Sequence, residues 1–432
     1  MQTYKVGGCI RDGLLGRVPK DTDYCVEGQT PEYLLDLGFT QVGSKFPVFL
    51  HPETKDEYAL CRTETTTGDK YQDFDCYFGV DVTIETDLMR RDLTINSIAQ
   101  DMITGKYIDP ANGMEDIKNR VLRHTSNAFS EDPIRLLRLA RFYAELGSEW
   151  TIAPETTQLC NNMLKAGLLE SLTPERIWKE TEKALKSRDP LLFFQFLYSF
   201  DIFPEINELT EIPQKPDHHP EGNVFIHTML VIKYASEVYD DPLITFAGLM
   251  HDLGKYPSYK EFGTAHGHEE AGLQPINDFC EKYTVPNEYR DLALMTCKQH
   301  TKVHGLFGRN GQGWTTPKSI MNMFQYTNAL NKTDRFEQML LACTADARGR
   351  GLPTSLCSDA MDKSMCYYRT KAYNQKAYLM ECLYHVSQVD TKSISTKLLT
   401  EGKTGIMIGE RIRVSRIDAI RQVQRKWKLK EK

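Results

Sequence analysis

Several things are missing from this chain of 432 residues, and each absence removes a class of function. No run of about 18 or more apolar residues occurs, so no segment is expected to cross a membrane as a helix. The opening Met1-Gln2-Thr3-Tyr4-Lys5 leads straight into a strand-like stretch, with no basic region and apolar core of a secretory signal. The 11 cysteines are scattered without a CxxC pair, which fits reduced, cytosolic thiols better than a disulfide framework. An excess of positive charge is also lacking: 53 Lys and Arg against 59 Asp and Glu leave a net −6, which weighs mildly against a nucleic-acid partner. One basic stretch stands apart from that balance, from Arg411 to Lys432. It can touch phosphates or be a solvated helix end, and the solvated reading is the plainer one. No tandem repeat is apparent.

What is present is enough apolar material for real cores, 41% of residues, in a length that calls for about two to four domains. The first ~125 residues mix short strands and helices. Tyr4-Lys5-Val6, Tyr24-Cys25-Val26, Val48-Phe49-Leu50 and Glu57-Tyr58-Ala59-Leu60 read as strands. Pro31 to Leu37 reads as a helix ending at Gly38, and Thr65 to Tyr71, polar and without a period, as a flexible loop. After Phe129 the pattern turns helical, with Ile134, Leu137, Ala140 and Tyr143 at helical spacing. Pro213 to Pro220 is a Pro- and His-bearing candidate linker. The expected organisation is an α/β head followed by an all-α body.

Chemistry concentrates in a few short segments. Val6-Gly7-Gly8-Cys9-Ile10-Arg11-Asp12 precedes Lys20-Asp21-Thr22-Asp23-Tyr24. A glycine pair lets backbone approach a phosphate, and Arg11 can hold it. Asp21 and Asp23, two residues apart, point to one face of a strand. Gly-Gly alone would mark a turn, and Lys-Asp-Thr-Asp alone a polar loop. Together and in order they are equipment for binding a nucleoside triphosphate with magnesium. Magnesium prefers oxygen ligands, and a two-metal arrangement serves both the attacking and the leaving oxygens of nucleotidyl transfer.

Three further segments carry charge in patterned positions. Arg90-Arg91-Asp92-Leu93-Thr94-Ile95-Asn96 taken alone reads as a charged surface run. In Glu131-Asp132-Pro133-Ile134-Arg135, Ser130 or Asp132 can cap a helix with Pro133 in its first turn. Asp132 and Arg135 are expected to share a helix face, where a carboxylate and a planar guanidinium can read a base edge. Arg138 continues that face and Arg141 lies a turn further on. Glu175-Arg176-Ile177-Trp178-Lys179-Glu180 reads as a helix with i, i+4 ion pairing that buttresses the preceding one.

In the second half most of the 11 histidines fall between Pro216 and His304. His227, His251-Asp252, His266, His268, His300 and His304 are followed by Asp346. A lone histidine is more often a polar core residue, but clustering weakens that reading. Imidazole and carboxylate suit a transition metal such as Ni²⁺, Mn²⁺, Co²⁺ or Zn²⁺, which activates water toward a phosphate ester.

The combination resembles the bacterial class II tRNA nucleotidyltransferases, the CCA-adding enzymes, that carry a C-terminal HD phosphohydrolase domain. The resemblance runs essentially the whole chain, from Tyr4 to Gly147 almost collinearly and on through Leu172-Thr173-Pro174-Glu175-Arg176 and Val285-Pro286-Asn287-Glu288. It implies a β-polymerase-like nucleotidyltransferase α/β head (1–128), an all-α neck with a nucleotide-template helix (129–212), an HD domain (213–350) and a helical tail (351–432). It implies Asp21 and Asp23 as catalytic magnesium ligands. Gly8, Arg11, Arg91, Asp132, Arg135, Arg138 and Arg141 become nucleotide-binding residues. For the HD centre it implies His227, His251, Asp252 and Asp346 as metal ligands, with His268 and His300 for a second metal or the phosphate. Implied partners are the tRNA 3′ end, CTP and ATP, in the cytoplasm, with no membrane and as monomer or homodimer. Two departures stand out. Cys9 replaces a small apolar residue, and His300-Thr301 stands where relatives carry His-Asp, which puts the hydrolase in doubt but not its fold. Three rivals stay open: a poly(A) polymerase, a metal phosphohydrolase whose head only binds nucleotide or RNA, and a non-catalytic tRNA chaperone.

Overall fold

The computed structural model describes residues 1–43, 48–66, 74–214, 219–308, 313–351 and 367–430. The chain divides into two compact units, one of 1–184 with 192–200 and one of 185–191 with 201–432.

The first unit is built on strands β1 (Gln2–Val6), β2 (Asp23–Glu27), β3 (Thr40–Val42), β4 (Val48–Leu50), β5 (Glu57–Leu60), β8 (Ala99–Asp101) and β9 (Tyr107–Ile108), in the order β3-β4-β5-β2-β1-β8-β9. All neighbours are antiparallel except β2 and β5, which run parallel with Asp23 opposite Glu57. Strand alternation gives the sheet two apolar faces. Cys25 packs with Tyr4, Val6, Ile84 and Leu88 on one, while Val26 packs with Leu34, Phe49 and Leu60 on the other. β6 (Thr63–Thr66) and β7 (Phe74–Tyr77) form a separate antiparallel ribbon. Thr65 and Thr66 are therefore strand and not loop, and the rest of the expected Thr65–Tyr71 loop lies outside the described residues. A short parallel pair, β10 (Val121–Leu122) and β11 (Thr151–Ile152), completes the strands.

Helices α1 (Gly8–Leu14), α2 (Pro31–Asp36), α3 (Ile84–Met89) and α4 (Gly113–Asn119) belong to this sheet region. They are followed by α5 (Ile134–Leu146), α6 (Pro154–Lys165), α7 (Pro174–Leu185) and α8 (Pro190–Leu197). Thr30 caps α2 by accepting from Tyr33 N–H, with Pro31 in the first turn. The turn from β1 into α1 places Gly7 at φ 74°. A side chain there would be strained and would also meet the Arg91 guanidinium at 3.2 Å, so only glycine fits.

The second unit is helical: α9 (Pro204–Asn207), α10 (Val224–Tyr239), α11 (Pro242–Met250), α12 (Lys255–Phe262), α13 (His268–Ala271), α14 (Leu273–Lys282), α15 (Asn287–His304), α16 (Pro317–Tyr326), α17 (Thr333–Arg348), α18 (Tyr367–Thr370), α19 (Gln375–Ser387), α20 (Thr391–Thr400) and α21 (Gly405–Lys430). Helices α10, α11, α15 and α17 pack on one another. Their apolar faces merge into one core through Val231, Ala247, Leu292, Met339 and Cys343, and α19 and α21 close it with Tyr378 and Ile420. No helix among the described residues is long and apolar enough to cross a membrane.

Candidate active site and metal centre

In the first unit a cavity of about 940 Å³ opens beside the β1–α1 turn. Gly8, Arg11, Asp21, Asp23, Arg91, Asp132, Arg135, Arg138 and Arg141 all line it. The nine head and neck residues that the resemblance implies for metal and nucleotide thus face the same space, from segments more than a hundred positions apart.

Asp23 opens β2 and is paired through its backbone with Val6 and Glu57. Asp21 lies ahead of the strand in the connecting segment, so the two carboxylates reach one cavity without sharing a strand face. Glu57, opposite Asp23, brings a third carboxylate to the same wall, which the sequence did not reveal. Partial burial raises the Asp23 pKa, and the Glu57 and Asp21 charges add to that rise against the pull of Arg91. Crowded carboxylates on an open polar wall suit a hard cation, and oxygen donors of this kind fit magnesium.

The arginines are held by partners of their own. Arg11 donates to Asn96 Oδ1 at 2.8 Å and to Asp12 at 2.9 Å. Arg138 pairs with Asp92 at 2.6 Å, and Asn96 Nδ2 donates to the same aspartate at 3.1 Å. Arg11, Asn96, Asp92 and Arg138 therefore form a continuous chain from α1 to α5. The Asp92 carboxyl is held well below the usual range: burial opposes this, but Arg138 and Asn96 outweigh it. Phe142 sits among the same cations, with the Arg141 guanidinium 4.0 Å from its ring centroid and that of Arg11 at 5.1 Å.

Arg90 and Arg91 both pair with the buried Asp87, at 2.6 and 2.9 Å. Burial alone would raise the Asp87 pKa, yet the two guanidiniums pull it down to about 2. A depressed carboxylate contributes stability above its ordinary pKa of 3.8, and that contribution is lost as pH falls toward 2. Asp87→Ala should destabilise the unit by about 3–5 kcal/mol, because it strands two partly buried cations. It should also remove the corresponding step from the acid-unfolding curve below pH ~4. Circular dichroism against pH for both proteins checks this, and superimposable curves would refute it.

The Asp132–Arg135 pair departs from expectation. Asp132 is extended (φ −125°, ψ 102°) and precedes the helix, so it shares no helix face with Arg135. Pro133 is the reason, since a residue before proline is driven out of the α region. Asp132 instead caps α5, accepting weakly from Ile134 N–H at 3.3 Å. Its two oxygens are clamped by Arg176 of α7 at 3.0 and 2.8 Å. Glu180, one turn beyond Arg176, binds Arg141 at 2.6 Å. Arg176 and Glu180 thus reach across to α5 rather than pairing with each other, and the buttress expected of this segment is an interhelical one. Arg135 donates to the Ala128 carbonyl at 2.8 Å.

The second unit gathers the histidines. His227 rides on α10, His251 and Asp252 follow α11, His268 opens α13, His300 and His304 lie one turn apart on α15, and Asp346 sits in the last turn of α17. Gly254 lets the His251–Asp252 segment meet α13, since a Cβ there would lie 2.0 Å from the His268 carbonyl oxygen. Three groups with metal-ligand spacing result: His219 with Glu221 and His227, and, from the residues singled out in the sequence, His227 with His251 and Asp346 and Asp252 with His268 and His300. Asp252 touches both of the latter: its Oδ2 lies 3.1 Å from His251 Nε2, and its Oδ1 lies 3.4 and 3.7 Å from the Nε2 atoms of His268 and His300. His227 Nε2 is 3.1 Å from Asp346 Oδ1. His266 joins none of the groups.

These residues fit a metal. His251 Nε2 and Asp252 Oδ1 are buried without an aligned hydrogen bond, a costly state that a bound cation would relieve, while Asp252 Oδ2 has the Lys255 ammonium beside it. Burial pushes His300 down to about 3, keeping its imidazole neutral as a ligand must be. Burial alone would lower His251 too, but the Asp252 and Asp346 charges hold it above its ordinary value. Outside the ligand groups, His304 binds Asp346 Oδ2 at 2.5 Å and Tyr373 at 2.8 Å, and Lys255 stands 2.6 Å from Asp252. Glu221 joins His219 and His227, a contact that the sequence did not reveal.

Comparison with known proteins follows the same division. A family model described as the poly A polymerase head domain matches residues 3–123, and one described as a probable RNA- and SrmB-binding site of polymerase A matches 150–211. A model of the HD domain matches 224–335. Fold and site therefore define a nucleotidyltransferase head joined to a helical, HD-containing body. The chain is 43% identical over 405 residues to a multifunctional CCA protein of Mannheimia succiniciproducens, covering 91% of each. It is 41% identical to one of Hahella chejuensis, covering 98% of this chain and 95% of that one. It belongs to the bacterial CCA-adding enzymes that carry a C-terminal HD domain. Its fold is similar to that of a CCA-adding enzyme in an apo form (TM-score 0.62, 18% identity, 97% of this chain and 88% of that). It is also similar to a Thermotoga maritima CCA-adding enzyme complexed with tRNA (TM-score 0.58, 16% identity, 99% and 91%).

Proposed function

We propose that this enzyme builds and repairs the 3′-terminal CCA of tRNA from CTP and ATP without a nucleic-acid template. The observation that carries the reading is the convergence of nine residues, from Gly8 to Arg141, on one cavity, where Glu57 stands beside Asp21 and Asp23. Relatives sharing more than 40% of the sequence are named for CCA, and neighbouring structures are described as complexes with CTP, ATP and tRNA.

In this reading the 3′-hydroxyl oxygen of the RNA attacks the α-phosphorus of the nucleotide. The bond from that phosphorus to the bridging oxygen breaks, pyrophosphate leaves, and the hydroxyl proton passes to solvent. Asp21 and Asp23 would hold magnesium, with Glu57 beside them. Bound there, it would supply neutralisation of the triphosphate charge and a lower pKa for the hydroxyl. Arg11, Arg91, Arg138 and Arg141 hold the triphosphate, and Gly8 lets backbone approach it. Asp132, fixed by Arg176, retains acceptor sites for the amino group of cytosine or adenine, and Arg135 donates to the same edge. The acceptor arm is recognised by shape and backbone, as A-form RNA allows.

The division into head (1–128), neck (129–212), HD domain (213–350) and tail (351–432) belongs to the same reading, as does a cytoplasmic monomer or homodimer. In the HD domain, His227, His251, Asp252 and Asp346 hold Ni²⁺, Mn²⁺ or Co²⁺, with His268 and His300 for a second ion or the phosphate. The activity expected there is phosphatase or 2′,3′-cyclic phosphodiesterase, removing damaged 3′ ends. Incubating tRNA that lacks only its final A with each triphosphate alone tests the choice of base. Incorporation of ATP and not of GTP or UTP is expected; equal use of GTP would refute the reading of Asp132 and Arg135.

A further inference from the structure

One buried carboxylate beside the HD cluster lies outside the two groups that hold His251, Asp252 and Asp346, in a third group with His219 and His227. Glu221 has a side chain with no solvent exposure, and its three polar contacts are all accounted for. Oε1 accepts from His227 Nδ1 at 2.8 Å and from His219 Nδ1 at 3.0 Å. Oε2 accepts from the Gly351 backbone N–H at 3.2 Å, just past the end of α17, the helix that carries Asp346. The His219 and His227 rings meet edge to face with centroids 4.8 Å apart.

The two nitrogens of His227 are divided by this arrangement. An ionised carboxylate only accepts, so Nδ1 carries the proton and Nε2 is left with its lone pair. Nε2 is also the atom that faces Asp346 at 3.1 Å and Asp252 at 3.9 Å. Glu221 could become a ligand together with His227 only on the Nδ1 side, with a cation in place of those hydrogen bonds and away from Asp252 and Asp346.

We propose that Glu221 is a positioning residue that fixes the tautomer and aim of His227 toward a metal, and is not itself a ligand. This rests on the reading of the HD cluster as a metal centre. Glutamine replaces it only in part, since an amide oxygen at Oε1 leaves the amide N–H groups facing the Gly351 N–H. Three N–H donors converge on the carboxylate, and an amide offers one acceptor oxygen and two more donors. If the amide N–H turns to His227 Nδ1, that nitrogen must accept and Nε2 takes the proton, which blocks ligation. Partners of ligand histidines typically govern metal affinity by about 10–100-fold.

The test is Co²⁺ titration of the full-length protein, followed by the visible absorption of the bound ion, with excess Mg²⁺ present to fill the carboxylates of the head. Wild type is expected to bind, and Glu221→Gln to bind about 10–100-fold more weakly. His219→Ala should stay near wild type, since Glu221 still holds His227. Wild-type affinity in Glu221→Gln overturns the proposal. So does a His219→Ala loss as large as that of Glu221→Gln, which would make His219, Glu221 and His227 the ligands themselves. Should Glu221→Gln fail to fold, Glu221→Asp decides: it keeps the charge but recedes by one methylene, so weaker binding supports the proposal and unchanged binding overturns it. Wild type that takes up no Co²⁺ removes the metal-centre reading and this proposal together.

Discussion

Asp23→Asn is expected to abolish nucleotide addition, by at least about 10³-fold, and to make the protein more resistant to heat. The first effect would exceed the loss of a single transition-state donor, about 10²–10³-fold, because on the proposed reading a metal ligand and a charge go together. The second follows from the sign of the pKa shift. Asp23 is pushed up by partial burial and by Glu57 and Asp21. A raised carboxylate contributes stability below its ordinary pKa of 3.8 and loses it as pH rises through the raised value. At neutral pH the ionised group therefore works against folding, and a neutral isostere relieves the repulsion. Function and stability are opposed at this residue, as is common where a site is preorganised for charge. Single-turnover extension and thermal melting of the same preparation check both halves. Retained addition, or a lower melting temperature, would contradict the assignment.

Asp252→Asn removes metal uptake and any phosphoesterase activity of the second unit, yet leaves nucleotide addition unchanged. Asp252 belongs with His268 and His300 and also touches His251, so on the proposed reading losing its charge would empty both groups at once. It also strands Lys255, whose ammonium pairs with it at 2.6 Å in a largely buried setting. Breaking such a pair typically costs about 3–5 kcal/mol. The chain nevertheless divides into two compact units, and the head cavity is lined only by residues of the first. The expected result is loss of metal and hydrolysis with an unchanged extension rate on tRNA. Hydrolysis of a 2′,3′-cyclic phosphate at the wild-type rate by the variant would place that chemistry elsewhere.

The residues that sequence reading found share one property: their chemistry is concentrated within a few neighbouring positions. Gly7-Gly8 with Arg11, Asp21 with Asp23, and His251 with Asp252 are legible because each carries a local pattern. The four strands around them are legible for the same reason, through alternation on a two-faced sheet. Glu57 was missed because it reaches Asp23 only through the parallel pairing of β2 and β5, a register that no local pattern encodes. Glu221 was missed because a glutamate between a proline-rich stretch and a helix looks solvated, and only folding buries it between two imidazoles. The partner of Asp132 was hidden similarly, since Arg176 lies 44 positions away on another helix. The conformation of Asp132, in contrast, was available from the sequence. Pro133 forbids the helical geometry that the spacing to Arg135 suggested, and local stereochemistry outranks periodicity there.

Glu57, Arg176 and Glu180 together change how the first site is understood. On the proposed reading its selectivity would reside not in one helix face but in α5 and α7, locked to each other by two charged contacts, Asp132 to Arg176 and Arg141 to Glu180. The chain Arg11–Asn96–Asp92–Arg138 then ties α5 to the turn that faces the phosphates. A base edge and a triphosphate read by groups so connected are read in one fixed relation, which is what addition without a template demands.

Sequencing the 3′ ends made by the purified enzyme decides whether that reading is right. The acceptor is tRNA trimmed to the base before the terminal triplet, supplied with CTP and ATP together. Products ending in C-C-A and going no further are predicted. Adenosine-only tails, or tails that continue to grow, would contradict it and make the protein a poly(A) polymerase.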